Sequence, residues 1–504
     1  MNLVTVLDMA ASGFGERIVI GSHLDGILAS ELHERAGRAA ATLQRENVGT
    51  LAYLGANHEA FAVAVFGAAW AGIPFLPLNY RLGADQLRAL LDGHDGVLVV
   101  ADSVAAPLLA GCRHPVVDRD EWLATTASGE LAPEPIGDPE AIAVLLYTSG
   151  TTSAPKAAVL RHRHLTSYLF AAVEFGAADG DDAALVSVPP YHVAGVANLL
   201  SNLYAGRRIV YLDAFTPEAW LATAREESVT QAMLVPTMLA RVVASLDGAA
   251  DAGLPALRTL SYGGSRMPPA LVARALELFP STDFVNAYGL TETSSTIAIL
   301  GPDDHRAAVA GNDPVARRRL GSAGRLLPMV EAEVRGPDGA PLGRGEVGEL
   351  WVRGDQVSGE YLARESPLDA SGWFPTRDVA SIDDDGYLFI EGRADDTIIR
   401  GGENIAPAEI EDALLEHPDI SEVAVVGPAD EEWGQRIAAV VVARPGSAVD
   451  AEQVRSWARQ RLRSSKTPDQ VVVWEALPQT DTGKVLRRVI LAELESSTGR
   501  GAGG

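Results

Sequence analysis

Short apolar runs alternate with helix-patterned stretches through the first 390 residues, at 50–54, 96–101, 141–147, 184–189, 208–212 and 231–235. Runs bounded by turn residues read as buried strands, and their alternation with helices predicts α/β layers with helices packed on sheets. Short glycine-rich segments after several of these strands are where such folds place ligand sites. Residues 60–80 carry no charge and are long enough to suggest a membrane span, but Pro74 and Pro77 would break one continuous helix. A buried helix over 59–72 and a short strand over 73–79 are expected instead.

From about residue 320 the texture changes to strand-like runs at 330–335, 348–353 and 387–391. The turn signals Pro337-Asp338-Gly339 and Asp384-Asp385-Gly386 join them, which predicts a compact β subdomain. The charged turn 392–396 leads into a new pattern: helices over 406–416 and 450–462, strands over 421–426 and 437–443. The expected architecture is α/β. A large N-terminal body, 1–394, holds two α/β sheet layers plus the β subdomain, and a small α+β C-terminal domain, 395–504, follows a polar linker. The Gly/Ser-rich tail 496–504 is expected to be disordered, and no repeat of solenoid period is present.

Composition narrows function more than fold. Asp and Glu outnumber Lys and Arg by 67 to 41, a formal charge of −26, so the surface repels nucleic-acid backbones and anionic headgroups. No nucleic-acid partner is expected, and a phosphate-bearing small molecule must be held by a locally positive or amide-rich site. The single cysteine, Cys112, excludes an intrachain disulfide framework and a cysteine metal cluster. Residues 1–15 lack the basic segment and apolar core of a secretory signal, so a cytoplasmic setting without a transmembrane segment is expected.

Tyr147-Thr148-Ser149-Gly150-Thr151-Thr152-Ser153-Ala154-Pro155-Lys156 follows the apolar run 141–146. Glycine and small hydroxyl residues let backbone approach a phosphate chain closely, while hydroxyls, amides and Lys156 supply donors. The segment is not Walker A, which needs Gly before the lysine and Ser/Thr after it, where this chain has Pro155 and Ala157. Taken alone it reads equally as a Ser/Thr-rich surface turn.

Read with the rest of the chain, the segment resembles the phosphate loop of the adenylate-forming superfamily, which includes acyl-CoA synthetases, aryl-CoA ligases, peptide-synthetase adenylation domains and luciferases. Pro190-Tyr191-His192-Val193-Ala194-Gly195 resembles its acid-pocket motif, and Tyr262-Gly263-Gly264-Ser265-Arg266-Met267-Pro268 its nucleotide and acyl loop. Asn286-Ala287-Tyr288-Gly289-Leu290-Thr291-Glu292 is similar to the Tyr-Gly-x-Thr-Glu signature. Gly372-Trp373-Phe374-Pro375-Thr376-Arg377-Asp378 resembles the ribose motif, Gly392-Arg393 through Gly401-Gly402-Glu403-Asn404-Ile405 the hinge and glycine loop, and Leu477-Pro478-Gln479-Thr480-Asp481-Thr482-Gly483-Lys484 the C-terminal lysine motif. The likeness spans about residues 147–488, and seven motifs in family order are far more specific than any one.

The resemblance implies activation of a carboxylic acid by ATP and Mg²⁺ to an acyl-AMP, then thioester formation with coenzyme A. It implies catalytic positions at Lys484, Glu292, Thr148 and His192, with Glu292 and Thr148 at the metal. Nucleotide contacts are implied at Ser149, Gly150, Thr151, Thr152 and Lys156, at Gly263, Gly264 and Ser265, and at Asn286, Ala287, Tyr288, Gly289 and Thr291. Asp378 can accept the ribose hydroxyls, and Arg393 either assists there or pairs with an acid of the linker. Lys484 brings a compact positive charge to the α-phosphate and carboxylate. The C-terminal domain is then a mobile lid turning at Asp395, which exchanges Lys484 for the Gly401-Gly402 loop and opens a path for the pantetheine arm. Lys466 is implied at a CoA phosphate.

Three departures stand out: Ser153 and Ala157 replace glycines of the phosphate loop, Arg377 stands where the ribose motif has Gly, and the Ser464-Ser465-Lys466 segment lacks the aromatic residue many relatives carry. Amino-acid-activating members place an aspartate in the acid pocket where this chain has His192-Val193, so an uncharged or apolar acid is expected, fatty or otherwise. The expected pocket wall is His192, Val193, Gly195, Gly263, Gly264 and Thr293, with the glycines leaving room for the acyl tail. Arg266 reads either as a receptor for a second carboxylate or as a surface arginine. A carrier-protein thiol or an amine as acceptor stays open, as does a module that senses ATP or acyl-AMP without turnover, although the retention of Glu292 and Lys484 argues against the latter. The partners expected are the small-molecule acid, ATP and CoA, with the protein a monomer or homodimer.

Overall fold

The computed structural model describes all residues except Ile136, 149–155, 311–312, 401–402, 431–432, 481–482 and 502–504. The chain divides into two compact units, Met1–Glu331 with Val352–Phe374, and Ala332–Trp351 with Pro375–Gly504. The sequence boundary at 394/395 lies inside the second unit, so much of the β subdomain clusters with the C-terminal segment.

In the first unit, nine strands among the described residues form one sheet in the order Arg325–Leu326, Ser295–Leu300, Asp283–Leu290, Thr259–Gly263, Gln231–Leu234, Ala183–Val186, Arg208–Tyr211, Ile18–Ile20 and Ile27–Leu28. The run from Asp283–Leu290 to Ile18–Ile20 is parallel, and the outer strands are antiparallel. A second sheet orders Val116–Asp118, Val97–Ala101, Thr50–Leu54, Phe75–Leu78, Ile142–Thr148 and Lys156–Arg161. Its first five strands are parallel and the last closes an antiparallel hairpin.

The uncharged stretch forms the helix Glu59–Ala71, ended by Gly72 in the left-handed region at φ 74°. Every residue from Ala60 to Ala71 is buried, as a helix apolar on all sides requires. It shares one core with Tyr53, Phe75 and Leu98 of the six-stranded sheet and with Leu185, Ile209 and Leu234 of the nine-stranded sheet. Residues of alternate parity, such as Ala52, Leu54, Val97 and Val99, enter a second core on the other face, so both faces of these strands are covered. Pro77 is tolerated because pairing of its strand with Ile142–Thr148 is confined to Phe75 and Val144. No helix among the described residues is long and apolar enough to cross a membrane.

A four-stranded sheet, Glu331–Arg335, Gly348–Arg353, Phe374–Ile382 and Leu388–Arg393, has most of its residues in the second unit. Further on, Ile420–Val426, Ala438–Ala443 and Gln470–Trp474 form a three-stranded sheet whose alternate residues enter two cores. The helices Pro407–Leu415 and Ala451–Arg461 supply Ile410, Leu414, Val454 and Ala458 to one of them. The tail departs from expectation: the helix Arg487–Gly501 runs through most of the stretch read as disordered. Buried Ile490 and Leu494 anchor its first turns, and extending a formed helix is far cheaper than starting one.

Candidate active site

In the first unit the site is built where strands end. The hairpin of Ile142–Thr148 and Lys156–Arg161 brings Thr148 opposite Lys156, and the Thr148 hydroxyl donates to the Lys156 carbonyl at 3.3 Å. The loop residues Ser149, Gly150, Thr151 and Thr152, expected to cradle phosphates, lie outside the described residues. The Lys156 ammonium sits 5.5 Å from the ring centroid of Tyr361.

The strand Asp283–Leu290 runs into the short turn Thr291–Thr293, which presents Glu292. The Thr293 hydroxyl stabilises this turn, receiving a bond from the Leu290 amide at 2.9 Å and donating to the Ser295 carbonyl at 2.8 Å. Ser294 and Ser295 follow Thr293 at φ 57° and 123°, a strained pair closing the turn that carries the acidic residue. The Tyr361 phenol donates to Glu292 Oε1 at 2.6 Å, and the Ser358 amide donates to the Glu292 carbonyl at 2.8 Å. Thr148, Lys156, Glu292 and Tyr361 are thereby linked within one unit. A carboxylate and a hydroxyl whose proton is already committed are hard oxygen donors of the kind Mg²⁺ takes together with substrate phosphates.

Tyr288 and Gly289 flank a bulge in the pairing with Ser295–Leu300. A Cβ on Gly289 would lie 1.8 Å from the Ser295 carbonyl oxygen. Gly289→Ala is therefore expected to destabilise the protein by about 3 kcal/mol, read from chemical denaturation, since backbone on both sides resists the shift. A loss under about 1 kcal/mol would mean that the bulge can open. Asn286 donates to the Ser322 carbonyl at 3.0 Å, and Ala287 lies opposite Gly263 in the adjoining parallel strand. Ser265 and Gly264 continue into a loop on which Gly264 and Arg266 are exposed.

The acyl pocket differs from the sequence expectation. His192 and Val193 open the helix Val193–Ala205 and are half-buried, with the Tyr191 and His192 rings 4.5 Å apart. Gly195 and Gly263, however, gain no spare volume from their missing side chains. A Cβ on Gly195 would meet the Pro190 backbone at 2.8 Å, and one on Gly263 the Ala287 carbonyl oxygen at 2.2 Å. These glycines permit close backbone approach, whereas a Cβ on Gly264, at φ 86°, would make only an ordinary contact with Val235 at 3.7 Å. Thr293 is fully buried beneath its turn and forms no wall.

In the second unit, Asp378 and Arg393 face each other across paired strands and form an ion pair at 2.9 Å. Asp378 is buried, and Arg393 also donates to the Thr376 carbonyl at 3.1 Å. Of the two readings of Arg393, the structure shows a pairing with the ribose-motif acid itself. Arg377 has φ 63°, a left-handed backbone, which explains the family's glycine there and shows this chain carrying strain in its place.

Lys484 ends a turn in which its amide is bound by the Thr480 hydroxyl at 3.0 Å and its carbonyl by the Thr480 amide at 2.8 Å. Its side chain keeps access to solvent but is crowded by protein. The displaced water, reinforced by Arg393, holds the ammonium below the ordinary lysine value, while Asp396 and Asp378 oppose the shift. Asp395 sits in the short turn Ala394–Asp396, and Gly401 and Gly402 lie outside the described residues. Lys466, implied at a CoA phosphate, is ion-paired with Glu409.

Sequence reasoning missed Tyr361. A lone aromatic in a polar stretch carries no local signal, and its meaning rests on a contact 69 residues away.

Comparison with known proteins shows the family. The family model for AMP-binding enzymes matches residues 9–362, and that for the AMP-binding enzyme C-terminal domain matches 409–484. The chain is 37% identical over 473 residues to feruloyl-CoA synthase of an Amycolatopsis species, covering 91% of this chain and 92% of that one. It is 34% identical over 490 residues to indoleacetate–CoA ligase of Aromatoleum aromaticum, covering 94% and 92%. Among solved structures it resembles o-succinylbenzoate CoA synthetase (MenE) from Bacillus subtilis. The form with the acyl-adenylate intermediate gives TM-score 0.84 at 27% identity, covering 96% of this chain and 97% of that one. The form with ATP and a magnesium ion gives TM-score 0.82 at 28% identity, covering 96% and 98%. By family models, sequence and fold together, the chain belongs to the AMP-binding enzyme family of adenylate-forming enzymes, with both the main and the C-terminal domain.

Proposed function

We propose that this protein activates an apolar carboxylic acid and transfers the acyl group to coenzyme A. It is an AMP-forming acid–thiol ligase using ATP, Mg²⁺ and CoA. In the first step a carboxylate oxygen bonds to the α-phosphorus as the bond to diphosphate breaks, giving acyl-AMP. In the second, the CoA sulfur bonds to the carbonyl carbon, the carbon–oxygen bond to AMP breaks, and the thiol proton leaves to solvent.

The observation that carries this reading is the two sets of charge at the family motifs: Lys156 and Glu292 on Tyr361 in one unit, Lys484 beside Asp378 and Arg393 in the other. Glu292 and Thr148 are assigned to Mg²⁺, which neutralises phosphate charge when bound. Lys156 binds phosphate oxygens, Asp378 receives the ribose hydroxyls with its carboxylate oriented by Arg393, and Lys484 stabilises charge developing on the α-phosphate. Residues 1–394 act as the adenylation body and 395–504 as the lid, hinged at Asp395. A cytoplasmic setting fits the single cysteine.

His192-Val193 in the acid pocket, with no acidic side chain for an ammonium, favours an uncharged tail, and the feruloyl and indoleacetyl relatives favour including aryl acids. The test is diphosphate release over a panel of aryl, fatty and dicarboxylic acids, with and without CoA. Apolar acids are expected to rank first, with CoA stimulating release and a thioester as product. Preference for an amino acid, or an acyl-AMP that accumulates unchanged in the presence of CoA, overturns the reading.

A further inference from the structure

The segment from Gln356 to Leu362 runs alongside the strand Lys156–Arg161. The Val159 amide donates to the Glu360 carbonyl at 2.9 Å, and the Leu362 amide donates to the Ala157 carbonyl at 2.9 Å. Arg161 grips the Glu360 carboxylate with two bonds, at 2.9 and 2.6 Å. The same segment holds the turn that carries Glu292. Gln356 donates to the Thr293 and Thr296 carbonyls at 3.0 and 2.8 Å, and the Ser358 amide and hydroxyl both donate to the Glu292 carbonyl. Tyr361 stands at the join. Its phenol donates to Glu292 Oε1 while its ring lies beneath the Lys156 ammonium.

We infer that Tyr361 is the positioning residue of the phosphate site: its hydroxyl aims the Glu292 carboxylate at Mg²⁺, and its ring carries Lys156. The inference rests on the metal role proposed above for Glu292. A carboxylate on a short turn rotates freely unless one oxygen is held, and a bond to Oε1 leaves Oε2 as the oxygen available for a cation. An aromatic face attracts an ammonium without neutralising it. One ring thus keeps opposite charges near each other but ready for Mg²⁺ and phosphate, so no ion pair has to be broken when ATP arrives.

Titration calorimetry of ATP into the full-length protein, with and without Mg²⁺, separates the metal-dependent gain in ATP affinity from the rest. Electron paramagnetic resonance of Mn²⁺ with the protein and ATP reads the metal directly. Tyr361→Phe deletes the hydroxyl and keeps the ring. It is expected to cut the metal-dependent gain about tenfold, the size of a lost hydrogen bond to a charged group, and to leave metal-free ATP affinity and melting temperature unchanged. KM for Mg·ATP rises by a similar factor with kcat little altered. Tyr361→Leu removes the ring as well and is expected to lower metal-free affinity too.

Glu292→Gln should abolish the gain, with no further loss when Tyr361→Phe is added. If Glu292→Gln retains the full gain, the metal role of Glu292 fails and the Tyr361 inference fails with it. If Glu292→Gln loses the gain while Tyr361→Phe keeps it, or loses affinity equally with and without Mg²⁺, only the Tyr361 inference is overturned.

Discussion

Replacing Lys484 with alanine is expected to reduce acid-dependent diphosphate release by about 10²- to 10³-fold, the usual cost of removing a charge-stabilising donor from a reacting centre. Thiolysis of supplied acyl-AMP should continue near the wild-type rate, because the phosphorus–oxygen exchange is complete before the thiol attacks. Single-turnover assays of each half-reaction separate the two, and equal losses would contradict the assignment. The pH dependence adds an independent reading. Burial and Arg393 lower the Lys484 ammonium below its ordinary value, so its positive charge is lost at a lower pH than that of a free lysine. The alkaline limb of the first half-reaction should therefore fall before the ordinary lysine range, while thiolysis of supplied acyl-AMP lacks that limb.

Asp395→Pro is expected to leave diphosphate release within about threefold of wild type and to slow thioester formation by about 10²-fold, the scale on which misplaced groups cost rate. Asp395 is the second residue of the turn Ala394–Asp396, which is closed by the Thr397 amide donating to the Ala394 carbonyl. Proline there removes no hydrogen bond of the turn but fixes φ near −65°, so a rotation about this residue is blocked. Rapid-quench measurement of thioester formation, with a melting curve as control, is the test. A variant with full overall turnover and normal melting would remove Asp395 as the hinge.

The legible part of the fold was local. The strand Thr50–Leu54 and the strand Gly348–Arg353 have the bounds their apolar patterns give, because both are set by side chains within a few residues of one another. The helix Glu59–Ala71 was readable for the same reason, as an uncharged stretch closed by glycine and proline. The C-terminal helix was misread because composition suggested disorder, while what orders it is the burial of Ile490 and Leu494 against strands distant in sequence.

The site divides in the same way. Residue types at motif spacing were enough to propose roles for Glu292, Asp378, Arg393 and Lys484, since charge and hydrogen-bonding capacity belong to the side chain wherever it lies. Packing decided what those residues touch. Gly195 and Gly263 read as spare volume, yet backbone from Pro190 and Ala287 fills the space their missing side chains would take. Thr293 read as pocket wall, yet its hydroxyl is bound to the backbone of its own turn. Arg393 had two readings until the register of its strand set it against Asp378.

By itself, then, the sequence determined the layer class and the family chemistry, because these follow from local pattern and side-chain type. Only the tertiary structure decided that Tyr361 meets both Lys156 and Glu292, and that Gly195 and Gly263 are close backbone contacts. Those depend on segments far apart in the chain being packed to within a few ångströms, and no local pattern encodes that distance.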